Sequence, residues 1–235
     1  MGRFLGVVLA VLAVAAIPAA AHADTITLTD WADSGQFGTN ADGGGGPFRG
    51  TTTGTGPLGD SAFLTFCLEY GEHYSYDTPY HFELSDGAKA GGVSGAVDGS
   101  DLVSDATKWL YYQAVSGEYS SWYSSKVGAF NSNVGMIFQN AIWLLEGERT
   151  LEEVGGAESA ADVLATYAKS QDWGSLYAQG HRVYAMNLTD AAGGPIQDQL
   201  AYTSASVPDP GSTLLLLGTA LVSLAGAARR FSLRP

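Results

Sequence analysis

Cysteine occurs once in the 235 residues, at Cys67. A disulfide within the chain is therefore excluded, and the thiol is either buried and inert, paired with another chain, or chemically employed. Positive charge is also scarce: 11 Lys and Arg stand against 24 Asp and Glu, for a formal net charge of −13. Such a surface repels nucleic acid and anionic lipid, so neither is an expected partner, and a solvated acidic face is its simplest reading. No apolar run reaches the roughly 20 residues that a stable helical membrane span prefers. The longest runs lie at the two ends, over residues 4–17 and 214–228. Internal repeats are absent. Charged residues make up only 15% of the chain while aromatics reach 11%, a balance that favours a packed core over disorder.

The two ends have separate plans. At the start, Arg3 precedes the apolar stretch, Pro18 breaks it, and Ala21-His22-Ala23 closes it. Positive, apolar and small-x-small, in that order, predict a secretory signal peptide over residues 1–23, with the mature chain starting near Asp24. At the far end, Pro208-Asp209-Pro210 fixes an extended spacer before the run of about fifteen apolar residues, and Arg229-Arg230 follows. The arginine pair suits a cytoplasmic C-terminus with everything before it outside, on a short transmembrane helix. This order of Pro-acid-Pro motif, apolar run and basic pair resembles the PEP-CTERM sorting signal of Gram-negative bacteria. Asp209 stands where that family usually has Glu, and Phe-Ser-Leu-Arg-Pro continues past the arginines. The resemblance implies a sorting tail over residues 207–235, processing by the membrane protease exosortase, and delivery to the cell surface or an exopolysaccharide matrix.

Between the ends lie residues 24–206, some 180 residues and long enough for one well-packed domain. Seven Lys and Arg face twenty-three Asp and Glu there, a net of −16. Strands are expected over residues 24–31, 61–70, 80–84, 182–188 and 197–202. Residues 41–57 and 87–99 read as glycine-rich loops. Helices are expected over 101–115, capped by Asp101 or Ser104, over 134–145, and over 158–169. Strands at both ends with helices between them argue for an α+β fold, in which a sandwich or barrel-like sheet of terminal strands holds an inserted helical region.

Two segments carry chemistry. Phe66-Cys67-Leu68 sets the thiol between large apolar neighbours in a strand. Phe138-Gln139-Asn140-Ala141-Ile142-Trp143 sets a carboxamide in an otherwise apolar helix. An inward Gln must find partners or cost roughly 1–3 kcal/mol. Taken alone, each has a plain structural reading: a buried Cys as a small apolar residue, and a Gln bonded to backbone. In order and kind, the pair resembles the thioester domains of bacterial surface adhesins, over roughly residues 60–205. In that family an aromatic-Cys-apolar segment and an apolar-Gln-x-x-apolar segment, commonly followed by Trp, supply an internal thioester. The resemblance implies a bond between Cys67 and Gln139, with Phe66, Leu68, Phe138, Ile142 and Trp143 around it. It implies single-use covalent capture of an amine or hydroxyl from extracellular polysaccharide or another surface nucleophile, without turnover, cofactor or metal.

Two rivals predict different chemistry. A non-covalent structural or carbohydrate-binding matrix protein keeps Cys67 reduced, with Gln139 merely buried. A cysteine hydrolase pairs Cys67 with His73 or His81. Those two histidines and His181 lack metal-ligand spacing. Tyr119, Trp122 and Tyr123 either stack on sugars or pack on the domain's own core. Gly54-Thr-Gly56-Pro57-Leu-Gly59 has a dinucleotide-type glycine spacing without a strand–helix context, and Pro57 removes an amide. Asp98-Gly-Ser-Asp101 fits a solvated turn, and Asn187-Leu-Thr189 is a chance match to a glycosylation acceptor.

Overall fold

The computed structural model describes residues 24–31, 45–89, 92–93, 99–129 and 133–204. The signal-peptide and sorting-tail readings, with Pro208, Asp209, Pro210, Arg229 and Arg230, lie outside these residues. Among the described residues, no helix is long and apolar enough to cross a membrane.

Alternation builds the sheet. In β1 (Thr25–Asp30) the threonines flank Ile26 and Leu28, which are fully buried. β2 (Phe48–Thr53) turns Phe48, Gly50 and Thr52 inward and Arg49, Thr51 and Thr53 outward. β3 (Ser61–Thr65), β4 (Pro79–Ser85), β7 (His181–Thr189) and β8 (Pro195–Ser204) complete one antiparallel sheet in the order β3-β2-β1-β4-β7-β8. Two short strands, β5 (Gly87–Ala88) and β6 (Asp101–Leu102), pair separately. The sheet curls into a half-barrel rather than a sandwich. Its two edges meet beyond β3, where the Leu200 N–H donates to the Phe66 carbonyl and the Leu68 N–H to the Asp198 carbonyl, both at 3.0 Å. Cys67 lies between them, opposite Gln199.

The helices fill the middle of the chain. They are α1 (Asp105–Ser116), α2 (Tyr123–Lys126), α3 (Val134–Leu145), α4 (Ala160–Lys169) and α5 (Trp173–Ala178). Ser104 caps α1 by accepting from the Thr107 N–H, and Gly117 ends it in the left-handed region at φ 76°. Ser159 caps α4 in the same way, from the Asp162 N–H. α3 has no side-chain cap and depends on burial: Val134, Phe138, Ala141 and Ile142 are fully buried. α1 lies against β3, β7 and β8 and packs on α3, α4 and α5.

Two cores result. One fills the space between sheet and helices and includes Phe66, Leu68, Phe138 and Ile142. The other holds Ile26, Leu28, Phe48, Cys67, Trp143 and Met186. Cys67 and Gln139 therefore sit where the two cores meet.

Several expectations are corrected. β2 occupies part of the stretch read as loop over 41–57, because Phe48 and the threonines alternate correctly despite the flanking glycines. The strand expected over 61–70 ends at Thr65, and the chain then crosses to β8. The first helix starts at Asp105; Asp101 and Leu102 form β6 instead, and Leu102 is exposed. Gly54 to Gly59 form the turn between β2 and β3, with the Thr55 and Gly56 N–H groups donating to Asp24. No helix follows that turn, so the phosphate-binding context is missing. The short helices α2 and α5 and a 3₁₀ turn at Glu118–Ser121 were not expected.

Candidate functional site

Position 139 faces inward because α3 buries Gly135, Phe138, Gln139, Ile142 and Trp143 together. Gln139 is fully buried, and so is Cys67. Their contact has a peptide-like geometry. The Cys67 N–H donates to Gln139 Oε1 at 2.9 Å, and Gln139 Nε2 donates to the Cys67 carbonyl at 2.8 Å. The Gln139 carboxamide thus occupies the place of a neighbouring strand, on the edge of Cys67 that β8 leaves unpaired. The two bonds bracket Cα of Cys67, so the amide faces the residue that carries the thiol.

The sulfur has its own contacts. Gln199 Nε2 donates to Cys67 Sγ at 3.5 Å, and the Gly46 backbone also hydrogen-bonds it. Burial pushes the thiol up to about 12, against the opposing pull of Gln199 and Gly46. Thr65 Oγ1 steadies Gln199 Oε1 at 3.4 Å and donates to the Leu200 carbonyl at 2.7 Å. The Tyr111 hydroxyl lies within hydrogen-bond distance of the Leu64 and Leu200 carbonyls, at 2.8 and 3.0 Å.

Aromatic rings enclose the pair. Phe66 stacks on Phe138 at 6.2 Å and meets Tyr111 edge-on at 6.5 Å. Tyr123 stacks on Phe138 at 6.1 Å, and Tyr119 meets it edge-on at 5.3 Å. Tyr119 and Tyr123 therefore belong to the core. Tyr70 stands edge-on to Trp143, with Arg149 over both rings. A glycine pair completes the cover. A Cβ on Gly45 would lie 2.2 Å from Trp143 Cη2 and 2.8 Å from Gln139 Cγ, and one on Gly46 would lie 3.2 Å from Gln139 Oε1. Position 45 has no room for a Cβ, and position 46 would take one only if its neighbours gave by a few tenths of an ångström.

All seven residues expected around the thioester chemistry (Cys67, Gln139, Phe66, Leu68, Phe138, Ile142 and Trp143) are buried, and Cys67 and Gln139 are in direct contact. Sequence reasoning missed Gln199, Thr65, Gly45 and Gly46. The run of four glycines ending in Pro47 was the available signal for the last two.

The other candidates disperse. His73 and His81 are exposed, and His181 bonds the Tyr202 hydroxyl at 2.8 Å. Asn187 is buried, with its side-chain amide bonded to Ser85 at 2.7 Å, so it is no glycosylation acceptor. One set of acids gathers that the sequence had not suggested. One carboxylate oxygen from each of Glu69, Glu72 and Asp198 lies within 4.8 Å of the others. Burial first, and then Glu72, push Glu69 up to about 9 and Asp198 up to about 7.

Chemically, the site offers a carboxamide carbonyl with a backbone N–H already on its oxygen. That donor is suited to stabilise the oxyanion of an attack on the side-chain carbonyl. No protein-family model, curated protein or solved structure matches the chain.

Proposed function

We propose that the domain is an exported, exosortase-sorted surface or biofilm-matrix protein that carries a Cys67–Gln139 thioester for single-use covalent attachment. The observation that carries this reading is the placement of the Gln139 carboxamide, by two hydrogen bonds to the Cys67 backbone, against the residue that holds the chain's one thiol, inside an apolar enclosure. In the forming step, Cys67 sulfur attacks the Gln139 side-chain carbonyl carbon. The new S–C bond replaces the C–N bond, the thiol proton passes to the departing nitrogen, and ammonia leaves. The Cys67 N–H stabilises the oxyanion. Proximity supplies much of the rate, because a carboxamide is a poor electrophile and burial disfavours the thiolate. In the capturing step, an amine or hydroxyl takes the Gln139 acyl group, and its proton restores the Cys67 thiol. The enclosure by Phe66, Phe138 and Trp143 keeps water from competing.

Extracellular polysaccharide or another surface nucleophile is the proposed target, and the C-terminal tail holds the protein at the inner membrane in transit. Incubation with a fluorescent primary amine tests the reading. One equivalent should be retained through denaturation, on the Gln139 peptide, and lost in both Cys67→Ala and Gln139→Ala. Retention by Cys67→Ala would overturn it.

A second reading, a non-covalent carbohydrate-binding matrix protein, is favoured by one observation. A cleft of about 320 Å³ is lined by Asp86, Lys108, Trp173, Tyr177 and Arg182, a mixture of rings and charged groups suited to stacking and hydrogen bonding with a sugar. It predicts binding that Cys67→Ala leaves intact. The hydrolase reading has less support, because among the described residues no histidine hydrogen-bonds Cys67.

A further inference from the structure

Two residues past Cys67, the chain still runs beside β8, with the Gln197 side chain donating to the Glu69 carbonyl at 2.7 Å, and presents Glu69 to Glu72 and Asp198. One carboxylate oxygen of each lies within 4.8 Å of the others. Calcium binds oxygen at about 2.3–2.6 Å, so ligand atoms on one ion stand at most about twice that distance apart. The three carboxylates fit a single coordination sphere. Glu69 points independently to a ligand: the residue is only 2% exposed, and neither of its carboxylate oxygens accepts a hydrogen bond from any group outside the acidic cluster. A carboxylate buried there is costly unless it is protonated or meets a counter-charge.

The surroundings fix the other two acids without neutralising them. Asp198 Oδ1 accepts from the Leu188 N–H at 3.0 Å, and Oδ2 from the Lys89 N–H at 3.3 Å. Glu72 Oε2 accepts from the Asp198 N–H at 3.2 Å. Each oxygen keeps a further lone pair. The Lys89 ammonium is 2.6 Å from Glu83, outside the cluster. Glu148, which accepts from the Tyr70 and Val93 N–H groups at 2.9 Å, adds negative charge nearby.

We infer that Glu69, Glu72 and Asp198 form a calcium site that pins the Cys67 segment to β8. An all-oxygen, carboxylate-rich set without His or Cys ligands suits a hard cation rather than zinc. Its irregular placement suits calcium better than magnesium, which demands near-octahedral geometry. The site lies beside the residues that hold the sulfur: Asp198 precedes Gln199, and Glu69 follows Cys67 by two. Calcium therefore braces the two chain segments that meet at the thiol, whatever the covalent state of Cys67.

The test is calcium chloride added to chelator-stripped full chain, followed by calorimetry and thermal unfolding, with magnesium chloride as the comparison. One equivalent should bind with a dissociation constant on the order of 10⁻⁴–10⁻³ M, the range of extracellular calcium modules. The unfolding midpoint should rise with calcium and much less with magnesium. Glu69→Gln and Asp198→Asn should each weaken binding at least ten-fold. Terbium luminescence, sensitised through Tyr70 and displaced by calcium, reads the same site in the unmutated protein, so a variant that fails to fold does not block the test. Absence of calcium-dependent heat, midpoint shift and terbium displacement up to about 10 mM, ten times the weak end of that range, would overturn the proposal. An undiminished calcium response in both folded variants would also overturn it. The calcium site and the thioester fail separately, since the first is read by ion binding and the second by mass and capture.

Discussion

A Cys67–Gln139 bond would tie together residues 72 positions apart and should appear as stability. In the chain-entropy treatment of cross-links, closing a loop of that length removes about 4 kcal/mol of unfolded-state freedom at 25 °C. For a domain of this size each kcal/mol moves the thermal midpoint by about 2–4 °C, so opening the bond should lower it by roughly 8–16 °C. Methylamine is the appropriate perturbation. It leaves Gln139 as an N-methyl amide, whose oxygen still accepts from the Cys67 N–H; the bond to the Cys67 carbonyl is absent both from the thioester, which has lost its nitrogen, and from the trans amide, whose N–H points away from its oxygen. The drop therefore reports mainly the cross-link rather than lost hydrogen bonds. The assay is a pair of melts by circular dichroism, before and after treatment, with Cys67→Ser alongside. Cys67→Ser should melt close to the treated wild type and show no further drop with methylamine. Equal midpoints before and after treatment, in protein shown to have taken up the amine, would refute the cross-link reasoning.

Three further outcomes follow from the same geometry. Gly45→Ala forces a methyl group to within 2.2 Å of Trp143; overpacking of this kind costs about 1–3 kcal/mol, so urea unfolding should shift to a lower midpoint and amine capture should fall. In the thioester-free Cys67→Ser background, Gln139→Met keeps the volume but strips the partners from the residue-67 N–H and carbonyl; two buried orphans at about 1–3 kcal/mol each predict a loss of roughly 2–6 kcal/mol in the same assay, and an unchanged midpoint would contradict the pairing. In thioester-free protein, burial holds the Cys67 thiol near 12, against 9.0 for an ordinary thiol. Folding then favours the neutral form, a contribution fully present below pH 9 and lost as pH rises towards 12. Iodoacetamide should accordingly label the folded protein at pH 8 far more slowly than the urea-unfolded chain, and equal rates would contradict the burial.

How legible the site was depended on the range of the interactions. Gln139 was readable because a carboxamide between Phe138 and Ile142 has few ways to be satisfied, and α3 spans the residues that the apolar pattern marks. The order of strands, helices and strands gave the α+β class for the same local reason. Gly45 and Gly46 read as loop because their role lies in the room they leave for Trp143 and Gln139, which the tertiary approach alone defines. β2 was hidden by the glycines and prolines around Phe48 and the threonines. The acidic cluster was invisible because Asp198 stands 126 residues from Glu72. Tyr119 and Tyr123 left two readings open, since an aromatic-rich turn looks alike whether it faces a sugar or the core; packing against Phe138 decides for the core.

The intact mass of the mature domain, before and after methylamine, decides whether the Cys67–Gln139 thioester exists. The thioester predicts a mass one ammonia below that calculated from the sequence, one methylamine gained on treatment, and one titratable thiol released. The full calculated mass, with a titratable thiol from the outset and no adduct in folded protein, would contradict it.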